Sequence, residues 1–252
     1  MTTMTTSFNS PPITNSILYG GASVTGTSHI ERELPNQDAI GMFAFKEGYV
    51  MVVADGVGSV LYPEVGSKAV VKAVFEATKI WATYEGAPKE QLLRLIHALF
   101  NLYIHEYDKQ QCATTCLFAV YLHSGRLVVG QVGDGLVFLQ YGEEHLVLEE
   151  PKHSFINVTE PITSLRNIKG WRCQEVEVLD KPFSIMLCSD GVSESIEQLF
   201  YEKFLQHYVD KITAYNRLKK RNSFIRKQLL NWADKSSVDD KSLVIVNRGV
   251  SK

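Results

Sequence analysis

Strand-like segments joined by very short turns constrain the fold of this chain more than any other feature of its sequence. AIGMFAF and YVMVVAD are separated only by Lys46-Glu47-Gly48, a hairpin signature. The other predicted antiparallel pairs are TTCLFAVYL with RLVVGQV, GLVFLQY with HLVLEE, and RCQEVEVL with FSIMLCSD. Strands joined in this way pair antiparallel, because parallel pairing needs a crossover of about a dozen residues or more. The turns therefore argue against a doubly wound parallel sheet.

Helical patterns lie between these strands. Pro63 and Glu64 start the first predicted helix, since proline suits a first turn and an acid suits the positive N-terminal end. Gly86-Ala87-Pro88 ends that helix and starts a second one, and a further helical region is predicted from about Ser195 to Trp232. This order predicts an α+β fold, with two antiparallel β-sheets in a central sandwich flanked by helix layers, a four-layer α-β-β-α arrangement.

The composition places the chain among ordinary globular proteins, with 45% hydrophobic and 21% charged residues. Residues 1–15 are rich in Thr, Ser, Asn and Pro and are predicted to form a flexible arm, and residues 16–252 are predicted to form one catalytic domain. The net charge of −2 shows no excess of positive charge of the kind that indicates binding to nucleic acid or an anionic membrane. Because neither a signal-peptide pattern nor a membrane-spanning apolar run is present, we expect a cytoplasmic protein.

Acidic residues end several of the apolar segments. Three of them are followed at once by glycine, in Asp55-Gly56, Asp134-Gly135 and Asp190-Gly191, and VDDKS precedes the last strand. A single Asp-Gly is a common turn dipeptide, but a carboxylate buried at a strand end is costly unless it is paired or ligated. Carboxylate oxygens are the ligands that Mg²⁺ and Mn²⁺ prefer. The residues therefore predict a shared site for divalent metal ions.

In order and spacing, these segments resemble the metal-dependent protein phosphatases of type 2C. The likeness is to the bacterial branch, in which the first motif is a glycine-serine-histidine stretch that leads to Gln-Asp. It covers roughly Ile17 to Val246. The matching segments are GTSHIERELPNQDAI, VVADGVGS, CATTCLFAVYLHSGRLVVGQVGDGLVFL, IMLCSDGVSES and DDKSLVIV.

The resemblance implies a site for two Mn²⁺ or Mg²⁺ ions at one end of the sandwich. By position, Asp55 would bridge both ions, Gly56 would contribute its carbonyl oxygen, and Asp190 and Asp239 would ligate one ion. Gln37 stands where the family often has a glutamate that faces the other ion. The remaining matched positions are Asp38, which would act from behind the ligands, Asp134, which matches an acid that helps to hold a third and looser ion, and Thr115, which aligns with a threonine near the metal-bound water.

The chain departs from the better-known family pattern at the positions that bind phosphate in many relatives. Many relatives bind phosphate with an arginine at the position that Glu33 occupies here, which leaves Arg32 and His29 as alternative phosphate-binding residues. Val57 stands where eukaryotic members often have a histidine proposed as the general acid, so that role is unassigned. Gln37 is neutral, and one metal site therefore loses formal charge.

The resemblance implies a protein serine/threonine phosphatase in which a metal-bridging water attacks the phosphorus atom. Its substrate would be a phosphorylated Ser/Thr protein, and the family suggests the targets of a partner kinase. The alternative is a catalytically weak pseudophosphatase that acts as a phosphoprotein-binding or signalling module. Retention of Asp55, Asp190 and Asp239 disfavours this alternative, because crowded carboxylates repel one another without a cation.

The segment from Lys152 to Gly170 falls between predicted strands near the expected site. We predict that it forms a mobile flap that shapes access of the substrate. Deletion of this segment should then change KM or peptide preference while metal binding is retained.

Overall fold

The computed structural model describes residues 17–149, 161–165, 168–234 and 237–249. Ten strands in this part of the chain form two five-stranded sheets. The strands are β1 (Leu18–Val24), β2 (Asp38–Phe45), β3 (Gly48–Asp55), β4 (Cys116–Leu122), β5 (Arg126–Val132), β6 (Leu136–Tyr141), β7 (Glu144–Glu149), β8 (Arg172–Glu177), β9 (Phe183–Cys188) and β10 (Lys241–Arg248). The predicted arm, residues 1–15, lies outside the described residues, and the single domain spanning 16–252 stays a prediction.

Both sheets are antiparallel throughout. One has the strand order β2-β3-β4-β5-β8 and the other β1-β10-β9-β6-β7. The central strands are continuous apolar runs, because each sheet has one face on the other sheet and one face under helices. Val52 and Val53, neighbours on β3, are both fully buried although their side chains point to opposite faces.

The predicted hairpins are confirmed for three of the four pairs, β2–β3, β4–β5 and β6–β7. The fourth prediction is wrong, because β8 and β9 do not pair. β8 lies beside β5 at the edge of one sheet, whereas β9 lies between β10 and β6 in the other. The five residues between them, Asp180 among them, therefore connect the two sheets across the sandwich.

Six helices are described in these residues: α1 (Thr27–Glu31), α2 (Pro63–Ala82), α3 (Lys89–Tyr103), α4 (Asp190–Ser193), α5 (Tyr201–Thr213) and α6 (Leu218–Leu230). Helix α2 begins at Pro63 as predicted, and Pro88 is the N-cap residue of α3. Helices α2 and α3 cover the first sheet, while α5 and α6 cover the second. The four-layer α-β-β-α arrangement is thereby confirmed. Helix α1 lies within the GTSHIERELPNQDAI segment, for which no helix was predicted.

Three apolar layers hold these elements together. The middle layer lies between the sheets and contains Leu117, Leu187 and Val244. The outer layers contain Trp81 and Phe100 under α2 and α3, and a second set under α5 and α6. None of the helices in the described ranges is both long enough and apolar enough to span a bilayer.

Candidate metal centre

The topology brings the predicted acidic residues to one end of the sandwich. Asp55 is the last residue of β3, and the neighbouring strand β4 starts at that end. Asp134 lies in the turn from β5 to β6, Asp190 follows β9, and Asp239 precedes β10. The strand register places these ends side by side, because Leu136 of β6 and Leu243 of β10 both pair with Cys188 at the end of β9.

Asp55 is held by the threonine pair at the start of β4. Its backbone N–H donates to Thr115 Oγ1 at 2.9 Å, and its carbonyl oxygen accepts from the Thr115 N–H at 2.8 Å and from Thr114 Oγ1 at 2.8 Å. Both threonines are buried. The Thr-Thr pair therefore fixes the backbone that carries Asp55, and it leaves the carboxylate to face the cavity.

Asp38 lies beside Asp55 in the structure, because the two are register partners in the β2–β3 hairpin. Its Oδ2 accepts a hydrogen bond from Ser189 Oγ at 2.8 Å, and Ser189 Oγ accepts from the Ser242 N–H at 3.0 Å. Ser189 thus ties the hairpin of the first sheet to β9 and β10 of the second.

Asp134 is carried by a glycine turn that crosses from one sheet to the other. Gly133 and Gly135 have φ angles of 83° and 89°, a backbone region that residues with a Cβ rarely adopt. The side-chain amide of Gln131, fully buried, donates to both glycine carbonyls at 3.1 and 3.0 Å. Arg172 also donates to the Gly133 carbonyl. Three hydrogen bonds to the two carbonyl groups on either side of Asp134 therefore hold the turn.

Asp240 organises the opposite wall of the site. Its Oδ1 accepts from the Gly26 N–H at 2.7 Å, and its Oδ2 accepts from the Gln37 N–H at 2.6 Å. His29 Nδ1 lies 2.9 Å from Oδ1. One buried carboxylate therefore gathers both ends of the loop that contains α1 and sets His29 and Gln37 next to Asp239.

These side chains surround a cavity of about 160 Å³. The residues that line it are His29, Gln37, Asp55, Gly56, Val57, Gly58, Thr115, Asp134, Asp190 and Asp239. Eight of the ten predicted site residues are among them, and Asp38 lies buried next to Asp55. Arg32 is different: it is exposed at the end of α1 and does not line the cavity.

Burial and mutual repulsion keep protons on the carboxyl groups of this site. Burial, followed by the charges of Asp38 and Asp190, raises the pKa of Asp55 well above its ordinary value. Burial raises the pKa of Asp38 to about 7, with the charges of Asp240 and Asp190 adding to it and hydrogen bonds from Ser242 and Ser189 opposing it. Burial and the charge of Asp134 raise the pKa of Asp190 to about 6. The crowding is unfavourable unless protons or cations compensate it.

The polar atoms of the site fit divalent cations. Gln37 Oε1 and Asp38 Oδ1 are buried and have no hydrogen-bond partner among the described residues. Ligand atoms of His29, Asp239 and Asp240 all lie within 4.8 Å of one another. A donor set made mainly of carboxylate, amide and carbonyl oxygens suits Mg²⁺ or Mn²⁺. The residues present therefore match the ions that the resemblance implies.

Three residues that organise the site were missed in the sequence, namely Asp240, Ser189 and Gln131. Asp240 stood in the quoted VDDKS motif, and its position next to Asp239 was the available signal. Ser189 precedes Asp190 directly, but nothing in the pattern indicates that its hydroxyl contacts Asp38. Gln131 is a polar residue within an apolar strand, and that contrast alone could have singled it out.

Part of the predicted flap is packed against this site. Residues 152–160 and 166–167 lie outside the described residues. Ile162 is fully buried, and its N–H donates to the carbonyl oxygen of Thr114 at 2.9 Å. The C-terminal part of the segment is therefore anchored beside the threonine pair, and its effect on substrate access stays a prediction.

Comparison with known proteins places these observations in a family. A family model for protein phosphatase 2C matches residues 25–233. The solved structure of RsbX in complex with magnesium is 14% identical with a TM-score of 0.59, over 95% of this chain and 99% of that one. A bacterial serine phosphatase is 17% identical with a TM-score of 0.65, over 93% and 98% of the two chains. The serine/threonine phosphatase Stp1 from Staphylococcus aureus is 14% identical with a TM-score of 0.62, over 94% and 96%.

At these identities, the likeness to the solved structures shows a shared fold, whereas the family model matches more than half of this chain. A search of curated protein sequences gave no significant match.

Proposed function

The chain belongs to the protein phosphatase 2C family, and we propose that it is a metal-dependent protein serine/threonine phosphatase of the bacterial branch. The observation that carries the proposal is the arrangement of Asp55, Asp134, Asp190 and Asp239 around one cavity. Four carboxylates at one cavity repel one another, and a protein gains nothing from this arrangement unless cations bind there. The proposed reaction is hydrolysis of a phosphomonoester.

Asp55, Asp190 and Asp239 would hold two Mg²⁺ or Mn²⁺ ions, together with the Gly56 carbonyl and the Gln37 side chain. Asp134 would help to hold a third, looser ion. When bound, the ions would neutralise the carboxylates, contact the phosphoryl oxygens and lower the pKa of a water molecule. Gly56 is suited to this role because its N–H donates to the Gln37 carbonyl at 3.2 Å, which fixes its peptide at the wall of the cavity.

The protein side chains would position the reacting groups and would form no covalent intermediate. Phosphoryl transfer depends mainly on such positioning and on stabilisation of charge. Thr115 holds the backbone of Asp55 and itself lines the cavity. Asp38 lies behind Asp55, where Ser189 orients its carboxyl group. We therefore propose that Thr115 and Asp38 act by supporting Asp55.

For the phosphate-binding residue, the geometry supports His29 over Arg32. His29 lines the cavity and is 7% exposed, and its Nδ1 lies 2.9 Å from Asp240 Oδ1. Arg32 is exposed at the end of α1 and does not line the cavity. We therefore assign the phosphate contact to the His29 imidazole and give Arg32 no direct role in the cavity.

The proposed substrate is a phosphorylated Ser/Thr protein, such as a target of a partner kinase, and the proposed compartment is the cytoplasm. A hydrolysis assay with an aryl phosphate and a phosphoserine peptide in Mn²⁺ tests the activity. We expect turnover that a chelator abolishes and that Asp55→Asn lowers on the order of 10³-fold or more. Asp180→Asn is the matched control, because Asp180 is exposed in the β8–β9 connection at the other end of the sandwich.

The pseudophosphatase alternative has its own outcome in this experiment. Phosphopeptide binding without any turnover in Mn²⁺ or Mg²⁺ would identify the chain as a phosphoprotein-binding or signalling module. Equal turnover in the Asp55→Asn variant and the wild type would exclude the proposed metal centre.

A further inference from the structure

A small apolar surface adjoins the cavity. Leu61 is 71% exposed, Tyr62 is 38% exposed and Tyr107 is 39% exposed. The rings of Tyr62 and Tyr107 meet edge to face, with centroids 5.0 Å apart and planes at 62°. We call these three residues the Leu61 patch. Other large apolar side chains are equally exposed elsewhere on the surface, but these three are grouped, and Leu61 and Tyr62 follow the cavity wall in sequence.

The backbone holds the Leu61 patch in place. The Leu61 N–H donates to Gln111 Oε1 at 3.1 Å, and the Tyr62 N–H donates to the Gln111 carbonyl at 2.9 Å. Pro63 follows immediately and starts α2. Tyr107 is held by its N–H, which donates to the Ile104 carbonyl at 2.9 Å. The backbone of the patch is therefore fixed before a ligand binds, which limits the conformational entropy lost on binding.

The chain runs directly from the cavity to this patch. Gly56, Val57 and Gly58 line the cavity, and Leu61 comes three residues after Gly58. Because successive Cα atoms are 3.8 Å apart, the Cα atoms of Gly58 and Leu61 are separated by at most about 11 Å. An extended peptide spans that distance in about three residues.

We propose that the Leu61 patch binds an apolar side chain of the substrate, located within three residues of the phosphoserine or phosphothreonine. This inference rests on the proposed phosphatase function and adds the substrate class that the cavity accepts. A peptide whose phosphate lies in the cavity can span the distance from Gly58 to Leu61 with about three residues. Burial of a leucine-sized side chain against Leu61 and the two rings would contribute selectivity on the order of 10-fold.

Charged residues beside Tyr107 indicate a further preference in the peptide substrate. Tyr107 lies between Glu106 and Asp108, which are both exposed, and half-buried Lys109 follows. A basic residue beside the apolar one would therefore be favoured in the substrate, and an acidic residue would be disfavoured. Because these are rim charges, the effect should weaken as the salt concentration rises.

The experiment compares phosphoserine peptides that differ at one position, with leucine or serine at each of the three residues on either side of the phosphoserine. An aryl phosphate too small to reach the patch serves as the reference substrate. In the full-length protein with Mn²⁺, we expect one leucine peptide to exceed its serine partner about 10-fold in kcat/KM. Leu61→Ser should remove this preference, measured as the ratio of the peptide rate to the aryl phosphate rate.

Two further variants make the result specific. Leu179→Ser is the matched control, since Leu179 is 48% exposed at the other end of the sandwich, and it should keep the wild-type ratio. Ile30→Ser changes an exposed residue next to His29, on the opposite wall of the cavity, and should also keep the preference. Circular dichroism and thermal unfolding check that each variant is folded.

The outcomes separate this inference from the proposed function. No turnover of any substrate overturns both. Turnover without a leucine preference, or a preference that survives Leu61→Ser, overturns only the role of the Leu61 patch. Loss of the preference in Ile30→Ser but not in Leu61→Ser would move the docking surface to the α1 side and also refute the proposal.

Discussion

Asp38 and Asp55 are register partners at the cavity end of the β2–β3 hairpin, where the buried Asp38 and the half-buried Asp55 belong to one acidic cluster. Register partners lie about 5 Å apart, so two charges there repel each other more strongly than they would in bulk water. Ser189 stabilises the Asp38 carboxylate through one hydrogen bond, which offsets only part of the burial. The hairpin therefore brings together two acids that favour protonation in the metal-free protein.

The first prediction is that the metal-free protein loses stability as the pH rises from about 5 to 8. Burial raises the pKa of Asp38 to about 7 and that of Asp190 to about 6 in the folded state. The unfolded chain releases the same protons near pH 4, so the stabilising contribution is complete below that pH and is lost through pH 6 to 7. Thermal unfolding in a chelator should show Tm falling by several degrees over this range.

The control for this prediction is Asp38→Asn, which removes one of the titrating groups. Its amide oxygen can still accept the hydrogen bond from Ser189 Oγ. We expect a flatter pH dependence in the variant, and saturating Mn²⁺ should flatten the curve of the wild type. A chelated wild-type protein that is more stable at pH 8 than at pH 5 would contradict the assigned burial of these groups.

The second prediction concerns Asp240, whose two oxygens accept from the backbone N–H groups of Gly26 and Gln37. In Asp240→Asn, one of these N–H groups would face the NH₂ group of the asparagine instead of an oxygen. We expect a loss of about 2 kcal/mol in the free energy of unfolding, because hydrogen bonds to a charged group are among the stronger ones. Urea unfolding measures it, and an equally stable variant would show that the loop is held by other contacts.

Much of the fold could be predicted because local patterns agree with the tertiary structure. β2 and β3 form a predicted hairpin, and Pro63 starts the predicted helix α2. The error at β8 and β9 has a physical cause. Two sheets of a sandwich pack about 10 Å apart, so a connection of hairpin length can also cross from one sheet to the other. Which of the two applies depends on the strands that pair with β8 and β9, and most of those strands are distant in sequence.

The site residues that could be predicted are those that end a predicted strand and precede a glycine, such as Asp55 and Asp190. Asp240 and Ser189 act through contacts with residues more than 100 positions away, which no local pattern reveals. Helix α1 was missed because five residues are too few for a helical period, and its N-cap residue, Gly26, lacks a capping side chain.

The third prediction is that Gly191 cannot be replaced by alanine. An added Cβ would lie 2.1 Å from the backbone oxygen of Asp240, which the strand β10 holds in place. Overpacking of this kind costs about 1–3 kcal/mol or more, and here it would displace Asp190 and Asp239 relative to each other. We expect lower stability and weaker Mn²⁺ binding, measured by unfolding and calorimetry.

Gly58→Ala provides the comparison for this variant, because its added Cβ would meet only the side-chain oxygen of Gln37 at 3.3 Å. Its stability should change by less than about 1 kcal/mol. If Gly191→Ala is as stable as Gly58→Ala, the close contact between α4 and Asp240 is not a constraint on the site.

The last prediction is that Gln37→Glu has opposite effects with and without metal. Gln37 is buried, its Oε1 has no hydrogen-bond partner in the described part of the chain, and it lines the cavity beside Asp55 and Asp239. A carboxylate there adds charge to the metal ligands, and we expect Mn²⁺ to bind on the order of 10-fold more tightly in calorimetry. In a chelator at pH 8 the same change buries one more negative charge, so Tm should fall below that of the wild type. An isosteric change that alters both quantities in the same direction would show that Gln37 acts through packing and does not face a metal ion.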